Sequence, residues 1–192
     1  MESRAVVGSM VHPLSMLASP ASRVVSGPAA RSPVIVSYLE MRDARALRPK
    51  FSSDPRFQIR ECTVPQWRFN RFLYEAVGAE WQWNEKRVWT DEQWREYVES
   101  SQLRTFAATY DGSPAGYYEL CRTAEPDEVE VMYFGLLPAF IGRGWGGVLL
   151  TRALEAAWEM RPSRVWLHTC TLDHPMAIRN YLARGLTLYK VE

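Results

Sequence analysis

The chain has 192 residues, 47% of them hydrophobic and 23% charged, with a formal net charge of +1. That length suits one domain able to bury a core without disulfides or metals, and near-neutrality offers no field to gather nucleic acid, so a small-molecule or local protein site is expected instead. Cys62, Cys121 and Cys170 are widely spaced and form no CxxC or Cys/His cluster, so neither a metal site nor a disulfide framework is expected.

Residues 1–33 are rich in Ser, Ala, Pro and Val, with no clean period. They read as a disordered tail or a mis-assigned start. Arg4, Arg23 and Arg31, against the single acid Glu2, leave a transit peptide open. A secretory signal fits less well, because Pro13 and Pro20 interrupt the apolar stretch. Ordered structure is expected from residue 34, in a domain spanning 34–192. No apolar run approaches the ~18 residues of a membrane span, and a cytoplasmic, membrane-free protein is the expectation.

Residues 34–40 read as a strand, 43–55 as a polar connection, and 57–62, alternating apolar and polar, as a second strand. Pro65 suits the first turn of a helix running to Val77, with Phe69, Phe72, Leu73 and Val77 at helical spacing and Gly78 at its end. An aromatic, charged connection covers 80–88. Thr90 is a good N-cap for a helix over 91–99, with Asp91 and Glu92 in its first turn. Strands at 105–110 and 115–121 flank the turn residues Asp111 to Pro114 and predict a hairpin. A polar turn at 124–127 leads to a strand at 128–136. A helix over 146–160 carries the stripe Leu150, Ala153, Leu154, Ala157 and Trp158. A strand at 165–170, a helix from Pro175 to Arg184 capped by Gly185, and a short strand at 186–191 complete the chain.

Between a strand and a helix lies Gly142-Arg143-Gly144-Trp145-Gly146-Gly147. Glycines there permit positive φ and a close ligand, and the helix start offers unpaired N–H groups at the positive end of its dipole. A pyrophosphate is the natural guest, and Arg143 could add a charge-assisted contact. The spacing also fits G-x-G-x-x-G, but a hairpin rather than a βαβ unit precedes it. Only 45 of the 192 residues follow Gly147, too few for a second mononucleotide half. A ligand-free turn is the plain alternative.

With these residues in place, the sequence resembles the GNAT superfamily of acyl-CoA N-acyltransferases, in element order over 57–189 and most sharply over 128–186. The family signature Q/R-x-x-G-x-G/A reads here Ile141-Gly142-Arg143-Gly144-Trp145-Gly146, with Ile in place of Gln or Arg. Leu136-Leu137-Pro138 resembles the family's V-x-P step. His174, Ala177, Tyr181, Gly185 and Leu186 occupy the places of N-x-x-A-x-x-x-Y-x-x-x-G-F. The resemblance implies an α/β fold with a mixed, mainly antiparallel twisted sheet and helices on both faces. It also implies acetyl-CoA as co-substrate, with Phe134, Leu136 and Leu137 pairing with the pantetheine arm. Ile141, Gly142, Arg143, Gly144, Trp145, Gly146, Gly147 and His174 are the further cofactor contacts. Many members end in a further strand. The early strand over 34–40, or a second subunit in a homodimer, is the expected substitute.

Acyl transfer to an amine needs a free lone pair, and deprotonating a lysine-like ammonium at neutral pH costs about 4–5 kcal/mol. A positioned base lowers that barrier. Glu130 lies where some relatives place a catalytic Glu, with a solvated strand-end carboxylate as the alternative. Glu119 is a second candidate, as base or ammonium anchor. Tyr181 is the general acid by resemblance. Cys170 and His168 read as packed strand residues. Tyr74, Trp81, Trp83 and Trp89 fall in the acceptor-binding roof, where ring faces could hold a cationic amine. The expected reaction is acetyl transfer to a primary amine of a small molecule. Acylation of a protein lysine or N-terminus, or a non-catalytic acyl-CoA sensor, are the alternatives.

Overall fold

The computed structural model describes residues 33–123 and 127–192. The expected tail and the polar turn at 124–127 lie, apart from Pro33 and Asp127, outside the described residues. The strands are β1 (Val36–Met41), β2 (Phe57–Glu61), β3 (Leu103–Tyr110), β4 (Ser113–Thr123), β5 (Glu128–Leu136), β6 (Arg164–Cys170) and β7 (Thr187–Val191). The helices are α1 (Trp67–Gly78), α2 (Asp91–Val98), α3 (Trp145–Glu159) and α4 (Ala177–Ala183). All expected elements form, in the expected order.

Local chemistry explains most boundaries. Thr90 and Gln93 make a capping box at α2, each side chain taking the other's backbone N–H. The β3–β4 hairpin turns on Asp111 and Gly112 alone, with φ of +51° and +83°, the left-handed pair that matches strand twist. Ser113 and Pro114 therefore belong to β4, where a register shift between Ala108 and Thr109 accommodates the proline. The last helix begins at Ala177 rather than Pro175, because His174 Nδ1 accepts the Met176 N–H at 3.1 Å and holds an open turn there.

The sheet order is β2-β3-β4-β5-β6-β1-β7. All neighbours are antiparallel except β5 and β6. β1 lies inside the sheet, hydrogen-bonded to β6 on one side and β7 on the other. Side chains alternate between two cores. Tyr118 joins α3 residues such as Leu149, Leu150 and Leu154 on one face, while its neighbour Tyr117 packs with Leu73 and Val77 of α1 on the other. Each fully buried leucine contributes about 1.5–3 kcal/mol. Among the described residues, no helix is long and apolar enough to cross a membrane.

One irregularity shapes the function. β5 and β6 pair at only three positions, from Glu128↔Arg164 to Glu130↔Trp166, and beyond them the strands diverge. A bulge next to Leu120 leaves Met132 without a partner on β4. From Val131 onward, the β6-facing edge of β5 is unpaired.

Candidate active site

The fork opens a cleft of about 740 Å³. Its walls are β5 from Val131 to Leu136, the β6 residues Leu167, His168 and Cys170, the glycine loop, and one face of α4. The segment after α1 forms a roof. Trp81 meets the His174 ring edge-on at 5.2 Å between centroids, and Trp83 Nε1 donates to Asp173 Oδ1 at 3.5 Å. These contacts tie the roof to the loop between β6 and α4.

At one end lies the glycine loop. Gly142 and Gly144 have φ of +79° and +84°, and Gly144 caps α3 without any side-chain hydrogen bond. The amides from Gly142 to Gly147 donate to no acceptor among the described residues, so a row of N–H groups and the positive end of a 15-residue helix are available to an anion. Asn180 Nδ2 donates to Gly146 O at 3.2 Å and braces the loop. Lys50 and Arg184 also line this end. Lys50 falls in no recognisable motif, and Arg184 occupies an unspecified place within the His174–Leu186 segment, so only the fold reveals them.

Further along the cleft, His168 Nδ1 lies 3.0 Å from Glu130 Oε1. The side chain of His168 is 46% exposed and that of Glu130 only 10%. Glu130 therefore sits behind His168, which lines the cleft while Glu130 does not. The hydrogen bond to Glu130 raises the His168 pKa above its ordinary value, with the charges of Glu130, Glu85 and Asp173 adding to the rise and burial opposing it. One carboxylate thus touches the imidazole, and two more act on it through their charge. Tyr181 on α4 is buried against Phe134, and burial pushes its phenol well above the usual tyrosine value. Its hydroxyl has no hydrogen-bond partner among the described residues.

The other site residues expected from sequence separate into two groups. Tyr74, Trp81, Trp83, Phe134, Leu136, Ile141, Gly142, Gly144, Gly146, Gly147, His174 and Tyr181 line the cleft. The remainder do not. Leu137 donates its amide to Ala115 O at 2.9 Å, and Ile141, although it lines the cleft, donates its own to Pro138 O at 3.2 Å, so neither amide is free. Trp145 stacks on Phe57 at 4.4 Å, turned into the core by the first turn of α3. Arg143 is exposed, lying over the Phe140 ring at 5.6 Å. Trp89 and Glu119 lie behind the roof, around the buried Lys86. The Lys86 Nζ sits over the rings of Tyr97 (2.9 Å), Trp89 (4.5 Å) and Tyr133 (4.6 Å). Glu119 is fully buried and accepts from Asn70 Nδ2 at 2.8 Å and Tyr97 Oη at 2.5 Å. The roof thus holds an ammonium in aromatic rings, as its composition suggested, but the ammonium is the protein's own. His168 and Cys170, both read from sequence as packed strand residues, line the cleft.

Residues 65–186 match the sequence model of the Acetyltransferase (GNAT) family. Solved structures with a similar fold include a GCN5-related N-acetyltransferase from Sphaerobacter thermophilus, with a TM-score of 0.61 and 18% identity over 82% of this chain and 49% of that one. A GCN5-related N-acetyltransferase from Kribbella flavida matches with a TM-score of 0.59 and 16% identity over 82% of this chain and 55% of that one. An aminoglycoside acetyltransferase from an uncultured soil metagenomic sample matches with a TM-score of 0.59 and 13% identity, covering 69% of this chain and 90% of that one. This chain therefore spans only about half the length of the first two. No curated protein matches it.

Proposed function

The chain belongs to the Acetyltransferase (GNAT) family, and from that premise we propose that it moves an acetyl group from acetyl-CoA to the primary amine of a small molecule within a ternary complex. Members of the family catalyse acyl transfer with acetyl-CoA as co-substrate. The observation that carries the reading is the fork between β5 and β6, which joins the unpaired loop amides and the Glu130–His168 pair in one cleft. The residues fit the donor. Free amides at the start of α3 suit its diphosphate, and the unpaired edge of β5 suits its amide-bearing arm as an added strand. When bound, the donor supplies an activated acyl carbonyl and a thiolate leaving group.

The rest is the work of this chain. With its Nδ1 proton donated to Glu130, His168 keeps Nε2 free to take a proton from the acceptor ammonium. The amine then attacks the carbonyl, a C–N bond forms and the C–S bond breaks. Tyr181, a phenol protonated at neutral pH, gives its proton to the departing sulfur, and the second proton of the acylated nitrogen leaves through solvent to restore the phenol. A β5 backbone N–H near Phe134 meets the oxygen on which charge develops. Glu130 is thus a positioning residue, and the base in contact with substrate is His168.

Two features favour a small cationic acceptor. The Trp81–His174 and Trp83–Asp173 contacts roof the cleft over, where a protein substrate needs an open groove. Glu85 and Asp173, both near His168, would attract positive charge. Calorimetric titration with acetyl-CoA, followed by an amine panel with free-thiol detection, tests the reading. Binding together with thiol release by at least one small amine is expected. Binding without thiol release across the whole panel would instead indicate a non-catalytic sensor.

A further inference from the structure

Residues 42–56 cross from β1 to β2 over the start of α3 and the end of α4, and they precede the family-matched residues 65–186. This strap is fastened by its backbone. Lys50 N donates to Thr151 Oγ1 at 2.9 Å, and Thr151 in turn donates to Gly147 O at 2.8 Å. Arg48 N donates to Arg184 O at 3.0 Å. At Gly185 a side chain would run into the carbonyl of Ala46, so bare backbone lets the strap lie flat.

The fastening lays Lys50 across the glycine loop. Its Nζ is 3.2 Å from where a Cβ on Gly144 would stand, and its Cδ is 2.8 Å from the same point on Gly147. Arg184 arrives from the end of α4, with Nη1 2.7 Å from that Gly147 point. Neither cation has a carboxylate partner among the described residues, and the Arg184 Nε is buried without an acceptor. The half-buried Arg164, by contrast, is paired with both Glu40 and Glu128. Two unpaired cations facing a row of unpaired amides match a doubly charged anion.

We propose that Lys50 and Arg184 bind phosphate groups of the acyl-CoA donor, so that the strap preceding the family-matched region completes the donor site. This rests on the donor reading above and adds two residues that no motif announces. Arg184 offers a planar fork for two oxygens of one phosphate. Lys50 offers a point charge on a flexible stem that can follow the anion.

The test is calorimetric titration of wild type, Lys50→Gln, Arg184→Gln and the double variant with CoA, 3′-dephospho-CoA and pantetheine. Circular dichroism melts serve as the folding control. Each single variant should weaken CoA binding about 10-fold and the double variant about 100-fold, with pantetheine binding unchanged. A loss that persists with dephospho-CoA places the cations on the diphosphate. A loss that disappears with it places them on the 3′-phosphate. Lys50→Arg should recover most of the affinity. CoA affinity within about twofold of wild type in folded Lys50→Gln and Arg184→Gln would overturn the proposal while leaving the donor reading intact. No CoA binding by wild type would overturn both.

Discussion

At the scale of single residues, the proposed chemistry turns on one hydrogen bond. A base must be neutral to accept a proton, and Glu130 raises the His168 pKa above its ordinary 6.5. Activity should therefore rise with pH along a limb set above that value. In Glu130→Gln the limb should move to lower pH, while the plateau kcat falls about 10- to 100-fold from lost alignment. A fall in rate with no movement of the limb would mean that Glu130 takes the proton itself. Tyr181→Phe should lower kcat about 10-fold or more while leaving CoA affinity within about twofold, as calorimetry and steady-state kinetics can read. Glu130 was legible from its register to the glycine loop. His168 was not, because its proposed role depends on a partner 38 residues away on a neighbouring strand.

At the scale of elements, the roof is pinned by a buried lysine. Lys86 is only 5% exposed. Burial lowers its pKa from 10.5 to about 7, with the charge of Glu119 opposing the fall. Between those two values the unfolded chain holds a proton that the folded protein lacks. Lys86 therefore makes stability rise with pH across that window, by about 1.4 kcal/mol per pH unit at most, and below it the penalty is constant. Lys86→Met removes the term. Thermal melts of the two proteins should show a Tm difference that is most favourable to the variant near pH 7 and shrinks by pH 10. The neighbouring Glu119 is likewise raised by burial, so Glu119→Gln in the Lys86→Met background should be tolerated better than either change alone suggests. The aromatic run of the roof was plain in the sequence. That one of its own lysines would fill the box was not, since rings from α2, β5 and the roof meet there only after folding.

At the scale of the whole molecule, β1 is a structural wedge. It pairs with β6 and β7 and buries Leu39 and Met41 completely or nearly so. Among the described residues, β7 has no other strand neighbour. A chain beginning at Arg42 should lose two ladders and two core side chains, at least about 3–6 kcal/mol from burial alone, and near-UV circular dichroism should show no cooperative melt. Gly185 makes a finer test of the same architecture. Its φ is +99° and a side chain there meets Ala46. Gly185→Ala should cost about 2 kcal/mol or more and lower Tm by about 4–8 °C, by calorimetry.

The sequence by itself determined the elements, their order and the glycine loop. These depend on local matters: periodicity, capping residues, turn pairs, and glycines free to take positive φ. It also offered Glu130 and Tyr181 as candidates, each at a fixed distance along the chain from a recognisable landmark. Only the tertiary structure decided what stands next to what. It set β1 between β6 and β7, turned Trp145, Trp89 and Glu119 away from the cleft, and brought His168, Lys50 and Arg184 into it. The physical reason is that strand pairing, register and the splay of β5 from β6 are long-range choices. They are settled by which faces can be buried together, and no short window of residues records that.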